Sequence, residues 1–425
     1  MEGSSSSYSF SELPDDVQLS ILSFLEPEEI AGFSRTSKRF SELYRDGRSR
    51  LWRSLCDRKW GHLTVISAWG QGVISYKFLY RALHRWDNLL GFWRQWSYPS
   101  VRPSVVHQSQ ANPPTLMFLE WGPWFLTGSM VSPAEDGSRK VVTTPFLWIW
   151  ITPKEEIACY MDPDGRVGKQ FELSDAWSDL NLLPVNVELL EGTRLRLGSK
   201  SDTSYGSYED QNLNDASPEE TAKIYEYYAN RTRSGGCRRQ RRRDKDRHER
   251  RKRPLRWETE HFLKIVDSSP SSDRPLQGLW KGINEDMKLE FYLITYDILG
   301  LSCRRISDLS GGRLASCKPV FWTADATLFE GLRPEDALAY DRRIHVATQF
   351  CEPRNGTVTH YMVMNSSYDL VLSGLTEVFK NPGQVEGRVW QYANGTFGFT
   401  FLRDDFIVDL SRIALDGRLL DVAAT

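Results

Sequence analysis

The sequence is poor in the residues and motifs that carry covalent chemistry. Six cysteines stand far apart, at positions 56, 159, 237, 303, 317 and 351, with no Cys-x-x-Cys and no close pairing with histidine. That argues against a disulfide framework and a sequence-local zinc site, and it favours a reducing compartment. Gly-x-Ser-x-Gly, His-Glu-x-x-His and a Gly-rich phosphate loop ending in Lys-Ser/Thr are all missing. "GQGVIS", Gly70 to Ser75, lacks a third glycine and follows no strand pattern. The densest apolar run, Phe146 to Ile151, is too short to span a bilayer. "MEGSSSSYSFSELPDD" has no apolar stretch of signal-peptide kind. The formal net charge of −2 leaves nothing global to attract nucleic acid. These absences predict a soluble, intracellular chain with no membrane segment, cofactor or resident metal. A hydrolase or transferase site assembled from distant segments stays open, because triad members are neighbours in space and not in sequence. Cys303, beside Arg304 and Arg305, is either a thiol with lowered pKa or a small residue near a strand end.

Aromatics are plentiful. Fifteen Trp, 17 Tyr and 20 Phe suggest broad, half-buried pleated surfaces. The serine-rich residues 1–9 read as a disordered tail. From Leu13 to Cys56 the texture is helical: Pro14 suits a first helical position, and Asp15 and Asp16 suit the positive end of the helix dipole. Val17, Ile21, Leu22 and Leu25 recur on one side. Pro27 starts a second helix with an Ile30/Phe33 edge, and a third runs past Phe40. Residues 57–90 read as linker helices, with Ile74–Leu90 as a stiff connector. At Gly91 β-branched and aromatic runs begin, punctuated by Gly, Pro and Asp. Asn394-Gly395 marks a tight hairpin, with Phe397, Phe399 and Phe401 alternating on one face. Gly91-Phe-Trp93, Gly278-Leu-Trp280 and Arg388-Val-Trp390 hint at a repeated strand geometry.

The strand-rich texture predicts an antiparallel barrel or sandwich in two halves, 91–198 and 255–425. Residues 199–254 interrupt it as a flexible, charged insertion carried outside the β-domain. Within the insertion a capping box, Ser217 with Glu220, predicts a helix. Then comes "RRQRRRDKDRHERRKR", with eleven Lys or Arg against three Asp or Glu, a local +8. Arg238, Arg239, Arg241, Arg242, Arg243, Arg250, Arg251, Lys252 and Arg253 form a candidate nuclear-import signal. Nucleic-acid contact and a plain solvated loop are the other readings. No aromatic interrupts the run, which weighs against single-strand binding.

The helical unit poses a question of sufficiency. About 45 residues bury too little surface to stand alone without a metal, disulfide or partner. Two apolar faces compete for one small interior, so a partner using helix-in-groove packing is the better expectation. Leu13-Pro14, the acidic pair, "ILSFL", Pro27, "TSKRF" and Trp52 resemble an F-box over residues 10–56. The resemblance implies docking on the SKP-type adaptor of cullin–RING ubiquitin ligases through Leu13, Pro14, Ile21, Leu22, Leu25, Pro27, Ile30 and Phe33. Gly32 departs from the pattern, and in a helix interior it costs about 1 kcal/mol relative to Ala.

"PLQGLWKGINEDMKLEFYLITYD" and "VWQYANGTFGFTFLRDDFIVDLSRI" are similar to the β-domain of the F-box only protein 31 family, over roughly 88–200 and 255–415. Animal members hold zinc after an early strand. Here Cys159 has no second Cys or His before residue 237, so the metal is not carried over. That family takes substrates partly by their chain termini, and no short motif here maps such a pocket. The expected fold is α+β: a three-helix F-box, a linker helix, and a mainly antiparallel barrel or sandwich. The expected function is the substrate receptor of an SCF-type ligase, reaching cullin and RING protein through the adaptor, in nucleus and/or cytoplasm. Trp121, Trp124, Trp148, Trp150 and Trp280 are candidates for the substrate surface, with ordinary core placement as the competing reading. A lipocalin-like barrel around a small apolar ligand is the alternative, even as a ligand-gated receptor.

Overall fold

The computed structural model describes residues 10–46, 50–96, 116–134, 140–162, 182–199, 223–224, 227, 259–266, 269–284, 287–297, 300–306, 319–346, 357–367, 384–415 and 417–423. Helices come first: α1 (Asp15–Leu22), α2 (Pro27–Phe33), α3 (Lys38–Arg45), α4 (Arg50–Trp60) and α5 (Tyr76–Trp86). Their starts are set locally. In α2 the backbone N–H of Glu26 donates to Glu29 Oε2 at 2.8 Å, half of a capping box, and Pro27 sits at the first turn. In α3 the Ser37 hydroxyl accepts from the Phe40 N–H.

The sequence treats α5 and the charged segment 57–62 as a spacer between helices and strands. The structure joins them. Trp60, Trp69, Leu79, Leu83 and Trp86 are each at most 4% exposed and belong to one core with the first β-unit. Large aromatic faces of this kind leave water only by packing on something apolar. Polar pins add direction: the Thr64 hydroxyl donates to Gly122 O at 2.7 Å, the Val65 N–H to Pro123 O at 2.8 Å, and the Ser75 N–H to Glu155 Oε1 at 2.8 Å.

Strands β1 (Gly91–Trp96), β2 (Leu116–Trp121), β3 (Leu126–Pro133), β4 (Val141–Ile151), β5 (Ile157–Met161), β6 (Leu183–Leu190), β7 (Arg194–Ser199) and β8 (Glu260–Lys264) pair in chain order and close into an antiparallel barrel. The closing strand lies beyond the 199–254 segment, so the β region divides after Lys264 and not at the insertion. On one face of the strands Trp93, Met117, Leu119, Leu126, Leu147, Leu195, Leu197 and Phe262 are each at most 1% exposed, and they fill the interior. The insertion is not wholly outside either: Ile224 is 1% exposed within the shared core, and the Tyr227 ring lies 5.5 Å from that of Phe125.

A second β-unit follows: β9 (Gly278–Ile283), β10 (Leu289–Asp297), β11 (Gly300–Arg305), β12 (Phe321–Thr323), β13 (Phe329–Glu330), β14 (Ile344–His345), β15 (Val358–Ser367), β16 (Gln384–Tyr392), β17 (Phe397–Phe401) and β18 (Phe406–Arg412). Setting β13 and β14 aside, its order is again that of the chain. β9 pairs with β10 and β18, and the pairing of Trp322 with Asn365 joins β12 to β15, closing a ring of eight strands. Between β12 and β15 runs a strap made of β13, helix α6 (Pro334–Asp341) and β14. The Asn394-Gly395 hairpin joins β16 to β17 with Gly395 at φ 80°, as expected. The two barrels meet wall to wall through Phe92, Leu116, Phe118 and Val131 on one side and Leu279, Leu293, Ile306 and Ile413 on the other.

Of the three Trp-ending starts noted in the sequence, the two that begin with glycine are equivalent. Gly91 and Gly278 open the first strand of their barrels with φ 100° and 130°, values that favour glycine. Trp93 Nε1 donates to Leu89 O, four residues back, at 2.6 Å; Trp280 Nε1 donates to Leu276 O at 2.8 Å. Each Trp lies opposite a cation on the last strand, Lys264 and Arg412. Lys264 Nζ is 5.7 Å from the Trp93 ring and donates to Asn88 O at 2.6 Å. The Arg412 guanidinium is 4.2 Å from the Trp280 ring and donates to Gln277 O at 3.1 Å and to Pro275 O. Trp390 makes no such clasp; it packs beneath the strap.

Candidate functional site

Within the helical unit, burial separates the residues named from sequence. Leu22 and Ile30 are each 2% exposed, part of the unit's own core with Phe40 and Trp52. Of the eight contact residues expected from sequence, these two lie beneath the surface of the unit. Phe33 is half-buried, with its ring 5.2 Å from Phe10 and 4.5 Å from Phe40. Leu25 and Pro27 are half-buried, and Leu25 O accepts from Arg58 Nη2 at 3.3 Å. Leu13 is half-buried, and its carbonyl accepts from Gln18 Nε2 at 2.7 Å. The Gln18 side chain, 1% exposed, also donates to Phe10 O at 2.9 Å and ties the entry of α1 to its first turn.

What remains outside is a stripe. Val17, Ile21 and Phe24 are 38%, 42% and 73% exposed, at i, i+4 and i+7 along α1 and the turn that ends it, beside exposed Pro14. Three large apolar side chains in line on so short an element form a continuous patch. Phe24, the most exposed, was not among the sequence candidates; its offset of seven from Val17 was the signal. Gly32 is exposed on α2, with open space where a Cβ would stand. Around the patch the charges are paired, Arg39 with Asp15 and Arg58 with Glu26 at 3.5 Å.

The aromatic candidates for a substrate surface fare differently. Trp148, Trp150 and Trp280 are at most 1% exposed, so the core reading holds for these three. Trp150 stacks on Tyr160 at 5.2 Å. Trp121 and Trp124 are half-buried, edge-on to Trp69 and Phe125. The basic run from Arg238 to Arg253 lies outside the described residues.

The chemical alternatives can be placed as well. Cys303 is fully buried, and desolvation pushes its thiol up despite Arg305 and Arg304, which removes the reactive-thiol reading. Burial likewise pushes Cys56 up to about 12. Among the described residues no group of three or more His, Cys, Asp and Glu could hold a metal. His345 Nδ1 lies 2.9 Å from Asp409 Oδ2, and Tyr392 OH donates to Asp409 Oδ1 at 2.9 Å. This cluster of His with a carboxylate joins the strap to the barrel wall. The first barrel is closed, as the ligand alternative requires, but its interior is filled. A cleft where α5 meets β4, β5 and β6, lined by Trp86, Leu89, Ile149 and Val187, holds about 60 Å³. A drug-sized ligand takes several hundred Å³.

An exposed apolar stripe on helices that share one core with the first of two β-barrels is the feature the comparisons bear on. Residues 10–58 match the F-box-like family model. The chain is 39% identical over 433 residues to a protein of Arabidopsis thaliana named F-box protein At3g12350, covering 97% of each. This chain belongs to the F-box protein family.

Proposed function

We propose that this F-box protein is the substrate-recognition subunit of an SCF-type cullin–RING ubiquitin ligase. The single observation that carries the reading is the Val17/Ile21/Phe24 stripe, exposed on the F-box unit while the residues beneath it are packed. The adaptor would cover the stripe together with Pro14, and cullin and RING protein would follow through the adaptor. The β-region would hold the substrate protein. The chain would do no covalent chemistry; its contribution is the effective concentration of a target lysine near E2-borne ubiquitin. Because the helices and the first barrel share one core, the mount is stiff, and stiffness raises that concentration. Residence in nucleus and/or cytoplasm belongs to the proposal through the basic run, and loss of 238–253 without change in distribution would remove it.

Size-exclusion chromatography of the full chain with an SKP-type adaptor tests the docking. We expect the wild type to co-elute and an Ile21→Asp/Phe24→Asp variant not to, with an unchanged melting temperature because both side chains are outside the core. Co-elution of both proteins, or of neither, would remove the stripe as the docking face.

A further inference from the structure

Apolar contact has no direction, so two domains that meet on an apolar wall can slip unless directional bonds cross it. The wall between the barrels is apolar on both sides, with Phe92 and Leu116 facing Leu279 and Ile413. Directional bonds come from the end of the chain. After β18 the backbone turns back as a small hairpin, β19 (Ala414–Leu415) with β20 (Arg418–Leu419). Its two-residue turn includes Gly417 at φ 73°, a conformation that favours glycine. The Ile413 N–H donates to Leu279 O at 3.1 Å and the Leu420 N–H to Ile413 O at 2.8 Å, which fastens the hairpin to the second barrel.

Beyond the hairpin the chain crosses to the first barrel. Strand β4 outruns its neighbour β5, which pairs with it only from Leu147 to Ile151. At the other end of β4, Val141 donates its N–H to Asp421 O at 3.0 Å and its carbonyl accepts from the Ala423 N–H at 2.9 Å. The result is a parallel bridge between Val141 and Val422. An unpaired strand edge is a liability until another strand takes it, and here the tail of the second barrel does so. Val141 is fully buried in the inter-barrel cluster, and Leu419 packs against the same cluster.

Charge pins the crossing from the other side. Lys281 Nζ, on β9, donates to Asp421 Oδ2 at 3.1 Å; the lysine side chain is 1% exposed and the aspartate 66%. Asp421 has φ 51°, a left-handed conformation that aspartate tolerates better than most residues other than glycine. Such a conformation persists where the surroundings over-determine it. Here the carbonyl of Asp421 is bonded to the first barrel and its carboxylate to the second.

We infer that residues 418–423 are a staple that couples the two barrels into one body, with Asp421 as its pin. The F-box helices share a core with the first barrel, so the staple carries their rigidity through to the second. Within the ligase reading, this fixes where the second barrel stands relative to the adaptor. That consequence rests on the reading; the coupling itself does not.

The test uses the full chain and two substitutions in the tail. Ala423→Pro deletes the N–H that bonds Val141 O and suits an extended backbone. Asp421→Asn keeps the tolerance for positive φ and removes the charge. Calorimetry reads the coupling, hydrogen exchange by mass spectrometry reads the bridge, and far-ultraviolet circular dichroism verifies that both variants fold. We expect the wild type to unfold in one transition and Ala423→Pro in two. Exchange at the start of β4 should be about tenfold faster in Ala423→Pro, the factor that one backbone hydrogen bond represents. In Asp421→Asn it should be about threefold faster, as suits a pair with one exposed partner. A single transition in Ala423→Pro, at whatever temperature, would overturn the inference, and so would two transitions in the wild type. Unchanged exchange at the start of β4 in Ala423→Pro would overturn it too, since the tail would then not hold that edge. Wild-type exchange in Asp421→Asn would remove Asp421 as the pin. Adaptor co-elution reads none of these quantities, so the docking reading and the staple fail separately.

Discussion

The two barrels of this chain share a clasp and differ in what surrounds it. Each opens with glycine, closes over a buried tryptophan, and is locked by a cation from its last strand whose donors reach the carbonyls of the segment before the first strand. In the first barrel that segment follows α5, so the clasp of Trp93 and Lys264 also holds the end of the F-box mount. In the second the preceding segment is a run of turns with a Ser271–Arg274 bridge, and the helical covering is moved to the wall as the strap. One architecture thus serves first as a mount and then as a body that covers itself. The comparison is physical before it is evolutionary: register, φ and hydrogen bonds agree at both clasps.

The comparison breaks most visibly at the tryptophans. Trp93→Ala and Trp280→Ala each remove a side chain with 0% exposure, and each should cost about 3–5 kcal/mol. Thermal or denaturant unfolding read by circular dichroism checks the magnitude. Near-equal losses support equivalence of the two clasps; a loss below about 1 kcal/mol at one of them would show that its clasp does not hold that barrel. Because Trp93 packs in the core that also contains the F-box helices, its loss should additionally weaken adaptor binding, whereas loss of Trp280 should not.

The cations sharpen the comparison at a smaller scale. Arg412 lies closer to its ring than Lys264 does and reaches two carbonyls against one. Arg412→Met should therefore cost more, about 2 kcal/mol against about 1 for Lys264→Met, since each charge-assisted bond left unmade strands a carbonyl. Lys264→Arg should recover or exceed wild-type stability by reproducing the second clasp. Urea titrations of the four proteins decide this, and the reverse order would mean that ring distance does not rank the clasps.

Much of this was legible in the sequence, for reasons that can be named. The F-box helices announced themselves because Pro14, Pro27 and the apolar spacing act locally. The hairpin at Asn394-Gly395 did so because only certain residues accept its φ. The Gly-x-Trp starts were visible as a pattern, but the clasp was not, since Lys264 and Arg412 lie 171 and 132 residues from their tryptophans in the chain and meet them only through register. The division into two barrels was hidden for the same reason: β8 follows the insertion, and nothing local says that it closes the sheet before it. Burial was the other blind spot. Trp148 and Trp150 carried two readings, substrate surface and ordinary core, because a large aromatic suits an interface and an interior alike, and an apolar edge such as that of Ile30 looks the same inside and out.

Glutamates on the inner faces give the finest comparison. Glu290, on β10, is held by Arg305 at 3.2 Å, Tyr292 OH at 3.1 Å and Asn284 Nδ2 at 3.0 Å. Glu260 opens β8 on the same face as Phe262, and burial alone pushes its carboxyl up to about 7. A carboxyl whose folded pKa lies above its unfolded value holds more protons when folded, so stability falls as pH rises between the two. The contribution is complete below about 4.5 and lost by about 7, leaving a desolvated charge at neutral pH. Glu260→Gln should therefore stabilise the protein at pH 8, on the order of 1 kcal/mol once partial exposure is discounted, and change little at pH 5. Melting temperatures at the two pH values measure the difference. Equal effects at both would mean that Glu260 is ionised throughout and that the inner faces of the two barrels treat their carboxylates alike.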